Sequence, residues 1–200
     1  MRAAIVGAAV ILIAGAYAYA KRRDENDGEE AEESYATAGD DGANFVEDSI
    51  SMVAGQMSGW PDGSAPYQAK IEAAAVQHGV PASILAWLLW KESRYNAAII
   101  SGAKRSSVGA MGIAQFMPAT ARQELGSEAA ALDPSIAIPG AARYLKKLFS
   151  QTGTWAQALA AYNWGIGNVK NKSMAAAPAE TRDYYTTILA NANASGSTYA

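Results

Sequence analysis

The chain has 200 residues, 50% hydrophobic and 18% charged, with a formal net charge of -3 at pH 7, enough for one domain with a real core plus appendages. It has no cysteine and one histidine, which excludes a disulfide framework, a thiolate metal site and a His-rich metal cage, and disfavours a Ser-His-Asp hydrolase. Residues 1–48 carry four Lys/Arg against eleven Asp/Glu, leaving twelve basic and eight acidic residues from Ser49 onward; a mildly basic domain suits an anionic polymer, and so small a surplus also describes an ordinary solvated surface.

From Ala3 to Ala20 every residue is apolar, Gly or Tyr, a run at the lower edge of what spans a bilayer as a helix. Residues 1–23 are therefore expected to meet a membrane through residues 3–20. Two fates compete: a retained anchor, or a secretory signal cleaved after Ala18-Tyr19-Ala20. Only Arg2 precedes the run, and Lys21-Arg22-Arg23 comes directly after it, which favours the anchor. The same trio would place the C-terminal domain on the cytoplasmic side by the positive-inside rule.

Residues 24–63 read as an acidic linker and lead-in. The first part, to Ala43, is acidic and rich in Gly, Ala and Ser, a self-repelling spacer with little to bury. The second holds Phe45, Val46, Ile50, Met52, Val53, Met57 and Trp60, interrupted by Gly55, Gly59 and a Pro61-Asp62-Gly63 turn. Residues 64–192 form the domain, and 193–200 read as a disordered tail.

Within the domain the punctuation is helical. One helix is predicted from Pro66 to His78, closed by Gly79 in a left-handed cap. A second starts with Pro81 in its first turn and runs through Ile84-Leu85-Ala86-Trp87-Leu88-Leu89-Trp90 to Ser93, apolar nearly all round and hence central. Pro118 and Gly126 bound a third. Asp133-Pro134 starts a fourth, which Pro139-Gly140 is expected to break or restart before Ala141–Phe149. Thr154 and Gln157 suggest a capping box for a helix ending near Gly165, and Glu180–Leu189 supplies the last. No alternating strand pattern appears, so the domain reads as all-α.

Leu85, Leu88, Leu89 and Glu92 fall at i, i+3, i+4 and i+7, so this carboxylate shares a stripe with core leucines at a helix C-terminus. Desolvation and the negative end of the helix dipole both raise its pKa there, as a general acid requires. The plainer alternative is an exposed residue at a fraying end, paired with Lys91 or Arg94. His78, beside Gly79, reads as a helix-end residue bonding nearby carbonyls. Trp87 and Trp90 read as core.

Four segments stand in order along the domain: Glu92-Ser93-Arg94-Tyr95-Asn96; Gly109-Ala110-Met111-Gly112-Ile113-Ala114-Gln115-Phe116-Met117-Pro118-Ala119-Thr120-Ala121; Ala160-Ala161-Tyr162-Asn163-Trp164-Gly165-Ile166-Gly167-Asn168-Val169; and Glu180-Thr181-Arg182-Asp183-Tyr184-Tyr185. Any one is a weak signal; four in order are a strong one. Together, over Tyr67 to Leu189, they resemble the catalytic domain of the soluble lytic transglycosylases, which shares a lysozyme-like fold with goose-type lysozymes.

The resemblance implies a lysozyme-like, all-α domain that cleaves the MurNAc-GlcNAc glycan strands of peptidoglycan. It implies Glu92 as the catalytic acid/base, with Ser93, its usual neighbour, among the substrate-binding residues, and Tyr184 as the hydroxyl that orients the carboxylate. Gly109 and Gly112 are implied to let the backbone approach the sugar, and Gln115, Tyr162 and Asn163 to line the cleft, with Trp164 beside them as a candidate sugar contact. Ile113-Ala114 stands where Leu-Met is usual, and Trp164 where a small Ala is usual.

A two-carboxylate glycosidase needs a second acid across the scissile bond. Glu72, Glu124, Glu128, Asp133, Glu180 and Asp183 offer no obvious one, which favours a transglycosylase that closes a 1,6-anhydro ring on MurNAc. The alternatives are a goose-type muramidase acting on the same bond, or an envelope or virion component that binds peptidoglycan without turnover. Gly165-Ile166-Gly167 is too short and wrongly placed for phosphate. No cofactor, metal or nucleic-acid partner is expected, and no protein partner can be named. The expected location is a membrane facing the cell wall or periplasm, a virion membrane, or outside the cell if the N-terminal segment is cleaved.

Overall fold

The computed structural model describes residues 59–104 and 106–194. The hydrophobic run at 3–20, the acidic spacer and the end of the tail lie outside these residues. Among those described, no helix is long and apolar enough to cross a membrane.

A 3-10 turn, Ala65–Tyr67, leads into α1 (Gln68–His78). Gly79 closes α1 at φ 62, its N–H donating to the Ala75 carbonyl, the left-handed cap read from the sequence. The single histidine ends α1 as expected, but its Nε2 is enclosed and has no hydrogen-bond partner. Burial and the charge of Arg143 hold its pKa below the ordinary value.

The second helix, α2 (Ala82–Ser93), buries Ile84, Leu85, Ala86, Leu88 and Leu89 almost completely. It packs against α1 on one side and the last helix on another. Pro81 is extended at the cap position rather than within the first turn. Trp87 and Trp90 are half-buried and meet edge to face at 5.1 Å, and Trp87 Nε1 donates to the Gly59 carbonyl at 2.9 Å. They face the rim of the core rather than its centre.

After a short α3 (Ala97–Ile100), α4 (Pro118–Leu125) lies between its expected proline start and Gly126. A 3-10 turn, Ala129–Leu132, then leads to α5 (Pro134–Thr152), capped by Asp133, whose side chain accepts from the Ser135 N–H at 2.8 Å. Pro139 and Gly140 do not break α5, contrary to the sequence reading. Proline forfeits one backbone hydrogen bond and crowds the turn before it. Against that cost stands the burial of Ala137, Ile138, Ala141, Ala142, Leu145 and Leu148 along one continuous face. Gly140 packs closely on α4: a Cβ there would lie 2.1 Å from Leu125 Cδ2 and that side chain would have to shift.

Next come α6 (Trp155–Trp164), with Thr154 Oγ1 accepting from the Gln157 N–H at 3.2 Å, and α7 (Ile166–Asn171). A 3-10 turn, Met174–Ala176, precedes α8 (Ala179–Ala194). This last helix runs past the expected Leu189 and into the segment read as tail, because Ile188 and Ala192 still bury against the core. Among the described residues there is no strand, only an isolated antiparallel bridge between Met111 and Phe116. The domain is all-α, as the sequence indicated; α6 packs on α5 and α8, and α8 on α2.

Candidate active site

The C-terminal end of α2 is built to leave one carboxylate at an open helix end. Arg94 and Tyr95, directly after Ser93, both take positive φ, 53° and 51°, a left-handed conformation that costs a non-glycine residue about 1–2 kcal/mol. Surrounding contacts hold it. The Arg94 guanidinium stacks over the Trp90 ring at 3.4 Å, the Tyr95 hydroxyl donates to the Ala86 carbonyl at 2.8 Å, and its ring stacks on Tyr67 at 5.6 Å. Asn96 then caps α3 by accepting from the Ala98 and Ile99 N–H groups. The chain thus turns away immediately after Glu92 and Ser93.

Glu92 is half-buried, and the Tyr184 hydroxyl on α8 donates to its Oε1 at 2.5 Å. Burial is the largest influence on the carboxylate and pushes its pKa up to about 7, opposed by the Tyr184 hydrogen bond, aided by the charge of Glu180 and opposed by that of Lys91. A carboxyl poised near neutrality can give up and take back a proton within one reaction cycle. Tyr184 is itself buried, and burial beside Glu92 holds its pKa well above the ordinary value. It therefore acts as a hydrogen-bond donor.

The residues flanking this pair join the same two helices. Lys91 Nζ meets Asp183 Oδ2 at 2.5 Å, the lysine largely covered and the aspartate open to solvent. The sequence offered Lys91 only as a partner for Glu92 and Asp183 only as a carboxylate without a role, since nothing local links positions 92 residues apart. Glu180, exposed in the first turn of α8, is among the described residues the one carboxylate whose charge raises the Glu92 pKa.

The glycine-rich segment folds into a tight turn. Met111 and Phe116 exchange two backbone hydrogen bonds of 3.0 Å. Inside it Gln115 has a positive φ of 47°, and its Nε2 donates to the Gly112 carbonyl at 2.8 Å. The Tyr162 hydroxyl on α6 donates to the Ala114 carbonyl at 3.0 Å, tying α6 to this turn. Burial, with Glu92 nearby, holds the Tyr162 pKa well above the ordinary value. Asn163, next along α6, is exposed, yet its Oδ1 accepts from the buried Thr181 hydroxyl at 2.8 Å. Trp164 is half-buried, with Lys172 Nζ 5.2 Å from its ring centre.

Two residues of the motifs are engaged inside the protein. Ser93 is fully buried, and its hydroxyl donates to the Leu89 carbonyl at 3.0 Å while accepting from the Tyr95 N–H at 3.2 Å. It terminates α2 and supports the turn behind Glu92. Gly112 is also buried, and a Cβ there would lie 1.7 Å from the Ala131 carbonyl oxygen. The missing side chain lets the turn pack directly on the Ala129–Leu132 backbone. Gly109, at φ 84° and partly exposed, has only Pro118 within reach of such a Cβ, at 3.8 Å. No group of three His, Asp or Glu side chains among the described residues is placed to hold a metal ion.

The four motifs thus build an all-α domain in which the Tyr184 hydroxyl on α8 holds the carboxyl at the end of α2, and Tyr162 on α6 ties to the glycine turn. The chain belongs to the Transglycosylase SLT domain family, whose model matches residues 69–185, more than half its length. Among solved structures it is similar to the lytic transglycosylase Slt of Pseudomonas aeruginosa, solved as an inactive Glu-to-Gln mutant. That match has 28% identity and a TM-score of 0.57, covering 74% of this chain and 27% of that one. It is also similar to the 70 kDa soluble lytic transglycosylase of Escherichia coli, with 26% identity and a TM-score of 0.56, covering 64% of this chain and 24% of that one. The chain thus spans about a quarter of the length of the solved structures it matches.

Proposed function

We propose that this protein is a peptidoglycan lytic transglycosylase that cleaves the MurNAc-β-1,4-GlcNAc bond and leaves 1,6-anhydro-MurNAc ends. The observation that carries the reading is the Tyr184-Glu92 pair, a half-buried carboxyl at about pKa 7 with one oxygen fixed by a buried hydroxyl. Protonated, Glu92 gives its proton to the leaving glycosidic oxygen. The resulting carboxylate then takes the proton of the muramoyl C6 hydroxyl as that oxygen bonds to C1. One bond breaks, one forms, and Glu92 ends as it began, with no water consumed. Family membership supports the substrate class, and the inactive Pseudomonas aeruginosa mutant differs by one glutamate turned into glutamine.

Glu180 favours a second reading. Its charge is felt by Glu92, so it is the carboxylate to which a water-activating role would fall in a goose-type muramidase. We assign the activity to the face of a membrane that meets the cell wall, or to a virion membrane, on the apolar run at 3–20. Intact mass of the mature chain, starting at Met1 or at Lys21, decides whether that run is retained.

The activity is tested by incubating the full chain with purified sacculi. Wild type is expected to release soluble muropeptides and Glu92→Gln none. Absence of release by folded wild-type protein overturns the enzymatic reading.

A further inference from the structure

The amide of Asn163 has its polarity set from below. Thr181 lies in the first turn of α8, 2% exposed, and its hydroxyl has a choice of acceptors. A threonine in a helix commonly bonds back to the carbonyl four residues earlier. Here that carbonyl belongs to Ala177 and already accepts from the Arg182 guanidinium. The Thr181 hydrogen goes instead across to α6, where Asn163 Oδ1 accepts it at 2.8 Å.

An amide oxygen accepts and an amide nitrogen donates, so this bond fixes which end of Asn163 faces out. With Oδ1 held by Thr181, Nδ2 carries two N–H donors on an exposed side chain and has no partner among the described residues. The position is also informative. Thr181 and Tyr184 lie three residues apart on one face of α8, a rise of about 4.5 Å. The backbone position whose hydroxyl holds Asn163 is thus about one helical turn along α8 from the one whose hydroxyl holds Glu92, and Tyr162, the residue before Asn163, is close enough to feel the Glu92 charge.

We infer that Thr181 is a positioning residue, orienting Asn163 so that its N–H donors bind an acceptor oxygen of the 2-acetamido sugar beside the scissile bond. This rests on the glycan-cleaving reading of the Glu92 site. It gives the buried hydroxyl of the Glu180-Thr181-Arg182 segment a role in substrate affinity, distinct from the proton transfer at Glu92. Freed from Thr181, the amide rotates and offers the acceptor its own oxygen part of the time.

The test is a double-mutant cycle of Thr181→Val and Asn163→Ala, with Thr181→Ser as the conservative rescue, on soluble glycan strands. Thr181→Val keeps the shape of the buried side chain and removes only the donor. It is expected to raise KM about 10-fold, the effect of one misdirected hydrogen bond. The kcat and the pH profile stay within a factor of about two, since Tyr184 and Glu92 are untouched. Thr181→Ser restores the wild-type KM, and in the Asn163→Ala background Thr181→Val adds nothing. An unchanged KM in a folded Thr181→Val chain, additive effects in the cycle, or a fall in kcat with a shifted pH profile each overturn the inference. The cycle is repeated as direct binding of the same strands in a Glu92→Gln background. If wild type binds strands without cleaving them, that binding arm still decides the role of Thr181 while the enzymatic reading falls. Equal binding by Thr181→Val and its parent in that background overturns the inference as well.

Discussion

The Tyr184 hydroxyl and Glu92 Oε1 are 2.5 Å apart, and the residues just before them, Asp183 and Lys91, are joined at the same distance. Consecutive positions on α2 thus meet consecutive positions on α8, one contact part-buried and the other with its aspartate open to solvent. The outer ion pair is of a kind that contributes little stability where exposed. Its consequence lies in where it holds a positive charge, next to the carboxyl that must keep its proton.

Tyr184→Phe separates two consequences of the inner contact. The ring packing stays, and the donor that orients the carboxylate is lost, so turnover is expected to fall about 10- to 100-fold without vanishing. The hydrogen bond also stabilises the charged form of Glu92. Without it the pKa rises further above about 7, and the alkaline limb of the pH-rate profile moves to higher pH. Rates at several pH values check both parts; a wild-type rate, or a limb moving to lower pH, contradicts the assignment.

The charges around Glu92 predict shifts of opposite sign. Lys91 lowers its pKa and Glu180 raises it. Lys91→Met is expected to move the alkaline limb up in pH, and Glu180→Gln to move it down. Protonated Glu92 is the active acid, so activity at pH 8 rises in the first variant relative to its own maximum and falls in the second. Shifts of the same sign in both would mean that the limb reports another group.

Glu92→Gln has a stability signature as well as a catalytic one. The carboxyl is neutral with little penalty below the ordinary value of 4.5, and burial resists its ionisation up to about 7. In the wild-type chain the stability conferred by the raised pKa is complete below the unfolded value and lost as pH rises through the folded one. The loss is on the order of 3 kcal/mol at most. Glutamine does not titrate. Its Tm advantage over wild type is expected to grow between pH 5 and pH 8, and scanning calorimetry at the two pH values measures it. A constant difference would show that Glu92 is not held protonated.

Much of the fold was legible because helix ends are chemical. Gly79, Gly126, Asp133 and Thr154 each did locally what their residue type does at a helix end. Pro139 misled because a local rule yielded to a long buried face, and periodicity does not weigh the two. Asn96 is a good cap, and the four-residue α3 behind it went unread because its apolar pattern is too short to register. At the site, the resemblance singled out Glu92 and Tyr184, which the fold joins by a hydrogen bond, while the burial of Ser93 and Gly112 could not be read from their motifs. Lys91, Asp183 and Thr181 act across helices, and no spacing rule connects residues of α6 or α2 to α8.

Gly112→Ala tests the close packing of that glycine. Its Cβ would meet the Ala131 carbonyl oxygen at 1.7 Å from a backbone at φ 71°, so both sterics and conformation oppose it. A loss of more than about 3 kcal/mol is expected, enough to unfold a marginal domain. At Gly109 only the left-handed backbone is strained, and Gly109→Ala is expected to cost about 1–2 kcal/mol. Denaturant melts of the two variants rank them; equal losses would mean that the contact with Ala131 is relieved by movement of the turn.

The products separate the two enzymatic readings. If Glu92 works alone and the C6 hydroxyl attacks, every cut leaves a muropeptide ending in 1,6-anhydro-MurNAc, one water lighter than a hydrolysis product and without a reducing end. Borohydride leaves such ends unchanged, and heavy-oxygen water leaves no label in them. If Glu180 positions a water, the ends are hemiacetals that gain two hydrogens on reduction and carry the label. Glu180 is solvent-exposed in the first turn of α8, whereas the oriented, proton-holding carboxyl is Glu92. A water-activating base has to be held across the scissile bond from the acid, and among the described residues no hydrogen bond or ion pair holds the exposed Glu180 side chain, whereas Tyr184 fixes Glu92. Anhydro ends are therefore expected from wild type, and from Glu180→Gln as well. Reducible, labelled ends that disappear in Glu180→Gln would replace the transglycosylase mechanism with hydrolysis while leaving Glu92 as the acid.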